Sequence, residues 1–344
     1  MAMIRSVAMA PVWLLQVFGQ SKSFKDNPII GSPFLNMLGL HVARLITAHV
    51  LNRFRLFTLS PLVDAETRKT FARDGFVKIE NFLPEEHFRT LQAEVHGCQG
   101  EVRECIQGDT LTLRILLDEE ALARMPAVAR LIELPAYDRL LKYCAARLKR
   151  PIHYVQSIKN GFEEGGGTDP QKLLHADTFH HTMKAWFFID EVTPDKGPFT
   201  YVPGSHRLTW ARLKWEYRLS IKGRYLEDIY SKKGSMRAER AELEEMGLPA
   251  PMAFPAKPNT LVVADTHGFH CRGNAKARSS RLEIWSSSRT NPFNPFPGFD
   301  FKSINRLEHR ILQALWRWQD EQARRRNTLS AWHPVPSEKL HDCA

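Results

Sequence analysis

The 344-residue chain is poor in cysteine, with five in all: Cys98, Cys105, Cys144, Cys271 and Cys343. Their odd number, wide scatter and lack of C-x-x-C spacing indicate neither a disulfide framework nor a zinc knuckle, and fit a reducing compartment. Long apolar runs are missing too. No window approaches the about 20 uninterrupted apolar residues that a membrane-spanning helix needs, so a soluble, cytoplasmic chain is expected. There is no internal repeat and no low-complexity tract. Acidic residues are absent from the first 25 positions, where Arg5, Lys22 and Lys25 flank the apolar patch "VAMAPVWLLQVF". That combination loosely resembles a signal or transit peptide. Pro11 interrupts the patch and a good cleavage context is missing, so a docked or membrane-surface segment is expected instead.

What is present is a globular composition, 43% hydrophobic and 25% charged, with a formal charge of +10. The surplus favours anionic ligands or surfaces, such as acidic lipid, a CoA thioester or a sugar phosphate, and equally describes a merely soluble basic surface. Residues 34–56 place Leu38, His41, Leu45, His49 and Phe54 near one stripe with Arg44, Arg53 and Arg55 at its flank. The spacing predicts an amphipathic helix, packed on the core or laid on an anionic bilayer. Asp64 and Gly75 bracket a further helix, "FVKIENF" alternates as a strand, and Pro84, Glu85 and Glu86 open another helix that Gly97 stops. Helices are expected over 119–132 and 136–148, making the first half mainly helical.

After Arg150 the pattern changes to short aromatic and β-branched runs: "IHYVQSIK", "MKAWFFIDE", "FTYVP", "TLVVAD" and "RLEIWSSS". Separated by Gly, Pro, Asp and Asn, these predict an antiparallel jelly roll, with a β core over 150–207 and 259–291. The expected fold is mainly β with flanking helices: a double-stranded β-helix (cupin-like) core with a helical N-terminal region. Three parts are expected: a helical extension over 1–60, the jelly-roll domain over 61–300 with a helical insertion at 208–258, and a C-terminal amphipathic helix and tail over 301–344.

The chemistry concentrates at "LLHADTFHHTMKAWFFIDEV", residues 173–192. In an extended segment residues i and i+2 point the same way, so His175 and Asp177 can offer a nitrogen and an oxygen to one cation. A third ligand must come from afar, and His267 and His270 are the candidates. Two histidines and a carboxylate are the facial triad of non-haem Fe(II) oxygenases, whereas zinc hydrolases use similar ligands with one open position. Arg281, eleven residues beyond His270, can clamp the far carboxylate of a dicarboxylate cosubstrate, for which a hydrolase has little need. Lys184 and Trp186, on the strand that follows, are candidates to line the cosubstrate or substrate pocket.

"HADTFHHTMKAWFFIDEVTPDKGPFTYVPGSH", the later "GFHCRGNAKARSSR", and the entry "FARDGFVKIENFLPEEHFRTLQAEV" together resemble the phytanoyl-CoA dioxygenase family of Fe(II)- and 2-oxoglutarate-dependent oxygenases. The resemblance spans roughly residues 64–290. It implies His175, Asp177 and His270 as iron ligands and Arg281 as the 2-oxoglutarate clamp. His267 with Arg278 has the same spacing; His270 is preferred because Arg281 directly precedes the apolar strand and "HCRGN" better matches the family's loop. His180, His181 and His206 are candidates to hydrogen-bond the ligands or substrate. Some relatives halogenate and lack the carboxylate, so Asp177 argues against that reaction here. The implied activity is a hydroxylase that consumes 2-oxoglutarate and O2, releases succinate and CO2, and acts on a small-molecule or lipid-like substrate, anionic in keeping with the basic chain, with peripheral membrane contact compatible and nucleic acid not expected. A zinc-dependent hydrolase and a non-catalytic basic binding module on an oxygenase scaffold are the alternatives.

Overall fold

Strict alternation along the central strands sets the architecture. In the computed structural model, which describes residues 2–162 and 167–342, eight strands form one antiparallel sheet. Their order is β1 (Phe76–Ile79), β8 (Thr260–Asp265), β5 (Met183–Phe188), β10 (Ser279–Ser288), β4 (Ile152–Asn160), β3 (Thr110–Leu116), β2 (Val102–Gln107) and β11 (His333–Val335). A second sheet holds β7 (Met252–Ala253), β6 (Phe199–Tyr201) and β9 (His270–Arg272), with β6 in the middle. Cys343 and the Arg5 side chain lie outside the described residues.

Period-2 side chains divide the large sheet into two faces. Ala185 and Phe187 of β5, Leu261 and Val263 of β8, Leu282 and Ile284 of β10 and Val155 of β4 point to one side. There they pack on α5 (Glu85–His96), α7 (Pro126–Glu133) and α8 (Pro135–Cys144), whose Leu91, Val128 and Leu141 are fully buried. Each such side chain contributes about 1.5–3 kcal/mol by leaving water. Trp186, Phe188, Val262, Ala264 and Trp285 point to the other side, against Phe199 and Tyr201 of the small sheet and Phe254. The space between the sheets is the jelly-roll interior. The fold is the expected antiparallel double-sheet core with flanking helices.

Asp64 caps α4 (Ala65–Asp74) through its carboxylate to Thr67 N–H, and Gly75 ends it in the left-handed region at φ 85°. The helix expected over 119–132 is two: α6 (Glu119–Arg124) stops where Pro126 begins α7, because proline cannot donate to the preceding turn. The first half is mainly helical, as expected, with the addition of a hairpin of β2 and β3 turning at Gly108, φ 58°. The insertion carries α9 (Trp210–Lys222), α10 (Ile229–Lys232) and α11 (Arg240–Glu245), and α12 (Lys302–Arg325) follows the last long strand.

The N-terminal region departs most from expectation. Gly39, at φ 93°, splits the expected helix into α2 (Pro33–Met37) and α3 (Leu40–Thr58), preceded by α1 (Ala2–Val17). On α3 the buried face is polar: His41, Arg44, His49, Asn52 and Arg55 join Leu45 and Ala48 inside. Ile46, Val50, Phe54 and Phe57 are exposed. Arg44 and Arg55 are therefore not a polar flank. Arg44 donates to the carbonyls of Val17, Gly19 and Ser21, and Arg55 to that of Asn294. Among the described residues no helix is long and apolar enough to cross a membrane.

Candidate active site

His175 sits on an extended segment that makes isolated bridges to Arg237 and to His270 at the start of β9, with Asp177 N–H donating to the Thr266 carbonyl at 2.9 Å. Reciprocal backbone hydrogen bonds of 3.0 and 2.9 Å hold His175 and His270 side by side, with their rings 4.6 Å apart. The Nδ1 atom of each ring lies against a carbonyl two residues upstream: His175 on Leu173 O at 2.7 Å and His270 on Gly268 O at 2.9 Å. With Nδ1–H donating, the lone pair is left on Nε2. Both Nε2 atoms are buried without a hydrogen-bond partner. Asp177 Oδ1 lies 3.7 Å from each of them.

The electrostatics prepare the same three groups for a cation. Burial pushes the His270 imidazole down to about 3, so the ring is neutral and free to ligate. Burial alone would raise the Asp177 carboxyl. The Lys184 ammonium, 2.7 Å from Oδ2, and the rings of His270 and His175 outweigh it and hold the group well below the usual carboxylate range. Lys184 is itself lowered by burial, against the pull of Asp177. One donor atom from each of His175, Asp177 and His270 falls within 4.8 Å of the others. Buried, deprotonated donors that converge with their lone pairs unused suit a divalent transition metal. The two-histidine, one-carboxylate set suits iron(II) with positions left for cosubstrate.

The triad opens into a cavity of about 300 Å³ between the sheets, which Lys184, Trp186 and Arg281 also line. Trp186 and Phe199 line it together, with their ring centres 4.2 Å apart. Arg281 is buried in β10, on the same face as Trp285. Its Nη1 donates to Gly197 O at 2.8 Å and its Nε lies 3.5 Å from Glu283 Oε2. Burial raises the Glu283 carboxyl above its ordinary value, with Arg281 opposing.

The structure thus gathers all six sequence candidates around one cavity, and it sends the competing pair elsewhere. His267 is fully buried, with Nδ1 on Thr178 O at 2.9 Å and its ring against His49 and His181 at 4.8 and 5.4 Å. Arg278 lies by Gly161 and Phe162, outside the cavity. His181 pairs with the buried Asp265, His180 Nδ1 lies against the His181 carbonyl, and His206 packs on Phe71. None of these three meets the triad.

Sequence reasoning missed Lys22, Arg114 and Gln156. Lys22, from the N-terminal region, donates to the Asp177 backbone carbonyl. Arg114 and Gln156 line the cavity from β3 and β4 and bond to each other at 2.6 Å. The alternation of β4 offered a signal for Gln156, a polar residue on an inward position; nothing local marked Lys22.

A double-sheet β core holding two imidazoles and one carboxylate over an open cavity defines the class of mononuclear non-haem iron oxygenases. Residues 71–245 match the phytanoyl-CoA dioxygenase (PhyH) family, and the chain belongs to it. The protein is an enzyme, an iron- and 2-oxoglutarate-dependent oxygenase. The matched stretch includes His175 and Asp177, whereas His270 and Arg281 lie beyond it. No curated protein matches the chain. Among solved structures it is similar to the epimerase SnoN from nogalamycin biosynthesis in complex with Fe3+, alpha ketoglutarate and nogalamycin RO. That pair shares 18% identity over 64% of this chain and 81% of the other, with a TM-score of 0.42. EctD from S. alaskensis with 2-oxoglutarate and 5-hydroxyectoine shares 18% identity over 66% and 76%, TM-score 0.41. HygX from Streptomyces hygroscopicus with nickel and 2-oxoglutarate shares 16% over 65% and 86%, TM-score 0.39.

Proposed function

We propose that the enzyme hydroxylates an unactivated C–H bond of a small organic substrate. In this reading His175, Asp177 and His270 hold Fe(II), and Arg281 holds the distal carboxylate of 2-oxoglutarate. The observation that carries it is the pair of unpartnered, buried Nε2 atoms beside Asp177, opening into the cavity that Arg281 lines. Bound there, iron(II) with 2-oxoglutarate and O2 supplies the oxidising power for C–H cleavage, as succinate and CO2 leave.

The chain's own residues do the rest. The carbonyls of Leu173 and Gly268 fix the tautomer and tilt of the two imidazoles, and Lys184 keeps Asp177 ionised. Arg281, tethered to the Gly197 carbonyl, presents a planar fork matched to a carboxylate. Trp186 and Phe199 wall the cavity with apolar surface and exclude water. Asp177 fills the position that a halogenating site leaves to a halide, which favours oxygen transfer.

The test is incubation of the iron-loaded enzyme with 2-oxoglutarate, isotope-labelled O2 and a metabolite extract. A metabolite that gains one labelled oxygen, with matching succinate, supports hydroxylation. One that loses two hydrogens or closes a ring without gaining oxygen replaces it with desaturation or cyclisation.

A further inference from the structure

The cavity in front of the triad carries more positive charge than this reaction uses. Five bases line it, Arg114, Lys184, Arg272, Arg281 and Arg289, against the single carboxylate of Asp177. Three are accounted for. Lys184 pairs with Asp177 at 2.7 Å and Arg272 with Asp169 at 2.6 Å, and Arg281 is assigned to the cosubstrate. Arg114 and Arg289 remain, and among the described residues neither has a carboxylate at ion-pair distance.

Arg114 is held in place rather than loose. Its Nε donates to Gln156 Oε1 at 2.6 Å, and its guanidinium lies 3.9 Å from the Trp285 ring centre and 4.6 Å from that of Trp332. Aromatic faces on the flat sides of a guanidinium leave its edge N–H groups as the available donors. Arg289, exposed just past the end of β10, lines the same cavity. A second cavity of about 150 Å³ lies between Arg114, Tyr154, Trp285 and Arg289, and reaches Asp177 and Lys184. Two guanidiniums with no carboxylate at ion-pair distance thus lie beside a flat aromatic wall that borders the triad, the chemistry that recognises an oxyanion.

We infer that the primary substrate bears a carboxylate or phosphate that Arg114 and Arg289 grip, with a flat or apolar body against Trp285 and next to Asp177. This rests on the functional reading above, since it takes Arg281 as occupied by 2-oxoglutarate.

The test uses full-length protein loaded anaerobically with Fe(II) and saturating 2-oxoglutarate, titrated calorimetrically with benzoate, phenyl phosphate and neutral benzyl alcohol. At least one anion binds tenfold or more tightly than the alcohol, and whichever binds better assigns carboxylate or phosphate. Arg289→Gln, at an exposed position, weakens that anion roughly tenfold without lowering the melting temperature, as the loss of one charge-assisted contact requires. Arg114→Lys retains more anion affinity than Arg114→Gln. Anions that bind no more tightly than benzyl alcohol overturn the inference. So does anion binding that survives Arg289→Gln and disappears only in Arg281→Gln, since the anion then sits in the cosubstrate's place. If wild-type protein takes up the anions in an Arg289-dependent manner yet binds no 2-oxoglutarate with Fe(II), the subsite stands and the functional reading falls.

Discussion

Gly268 has no room for a side chain: a Cβ there would overlap the Tyr201 hydroxyl and press on Ser205 Oγ. Its carbonyl is also the acceptor that orients His270. Gly268→Ala must therefore shift the backbone that aims a ligand. Iron affinity is expected to drop about tenfold or more, with a lower melting temperature, read by anaerobic metal titration and calorimetry. Unchanged affinity would remove the Gly268 carbonyl from the account. Arg281 is the second residue with little latitude. Arg281→Lys keeps the charge and loses the planar fork, so 2-oxoglutarate should bind roughly tenfold more weakly while metal affinity holds. Arg281 stood out in the sequence as the base at the head of an apolar strand, whereas Gly268 did not. Local residue type carried that information, because ligand chemistry allows few alternatives.

Elements were legible where their partners are close in the chain or their period is clean. The strands β4, β5, β8 and β10 follow the expected runs because aromatic and β-branched residues recur along them and turn-forming residues bound them. The β2–β3 hairpin was missed because the charged Arg103 and Glu104 interrupt the apolar pattern of β2. Both are buried, paired with Asp320 and Lys339 from the far end of the chain. The expected stripe of α3 is buried at His41, Leu45 and His49, but Arg44, Asn52 and Arg55 are buried beside it and Ile46 and Phe54 are exposed, for the same reason. Its polar side chains are satisfied by tertiary partners, as in the 2.8 Å contact of His41 with Glu216, that no local pattern reveals. The burial of this polar face is testable. Arg44→Ala strands three carbonyls and should cost roughly 2–3 kcal/mol, whereas Phe57→Ala, at a side chain 77% exposed, should fall within about 0.5 kcal/mol of wild type. Chemical denaturation of the two variants separates a helix with a buried polar face from an ordinary amphipathic one, for which the order would reverse.

For the molecule as a whole, buried neutral histidines set the response to acid. Burial holds His49 and His153 at about 3 and His206 at about 4, against an ordinary 6.5. Below pH 6.5 the unfolded chain takes up protons that the folded chain refuses. Stability is therefore full above that value and is lost as pH falls toward 4 and then 3, by up to about 1.4 kcal/mol per pH unit for each histidine. Glu216 adds to this only later. Burial alone would raise its carboxyl, but Arg212 and His41 outweigh that and hold it at about 2, so its contribution fades from 4.5 downward. The melting temperature should therefore fall clearly between pH 6.5 and 5, before the carboxylates titrate. His153→Gln, away from the triad, should lower stability at neutral pH and make that fall shallower by about one proton's worth. A flat profile from pH 7 to 5 would mean that these rings are accessible.

The measurement that bears most directly on the central claim is an anaerobic visible absorption titration of apo-protein with Fe(II) and then 2-oxoglutarate. Wild type and His267→Ala should each develop a weak charge-transfer band that needs both additions, whereas His175→Ala, Asp177→Ala and His270→Ala should develop none. A band that survives in His270→Ala and vanishes in His267→Ala would contradict the triad described here.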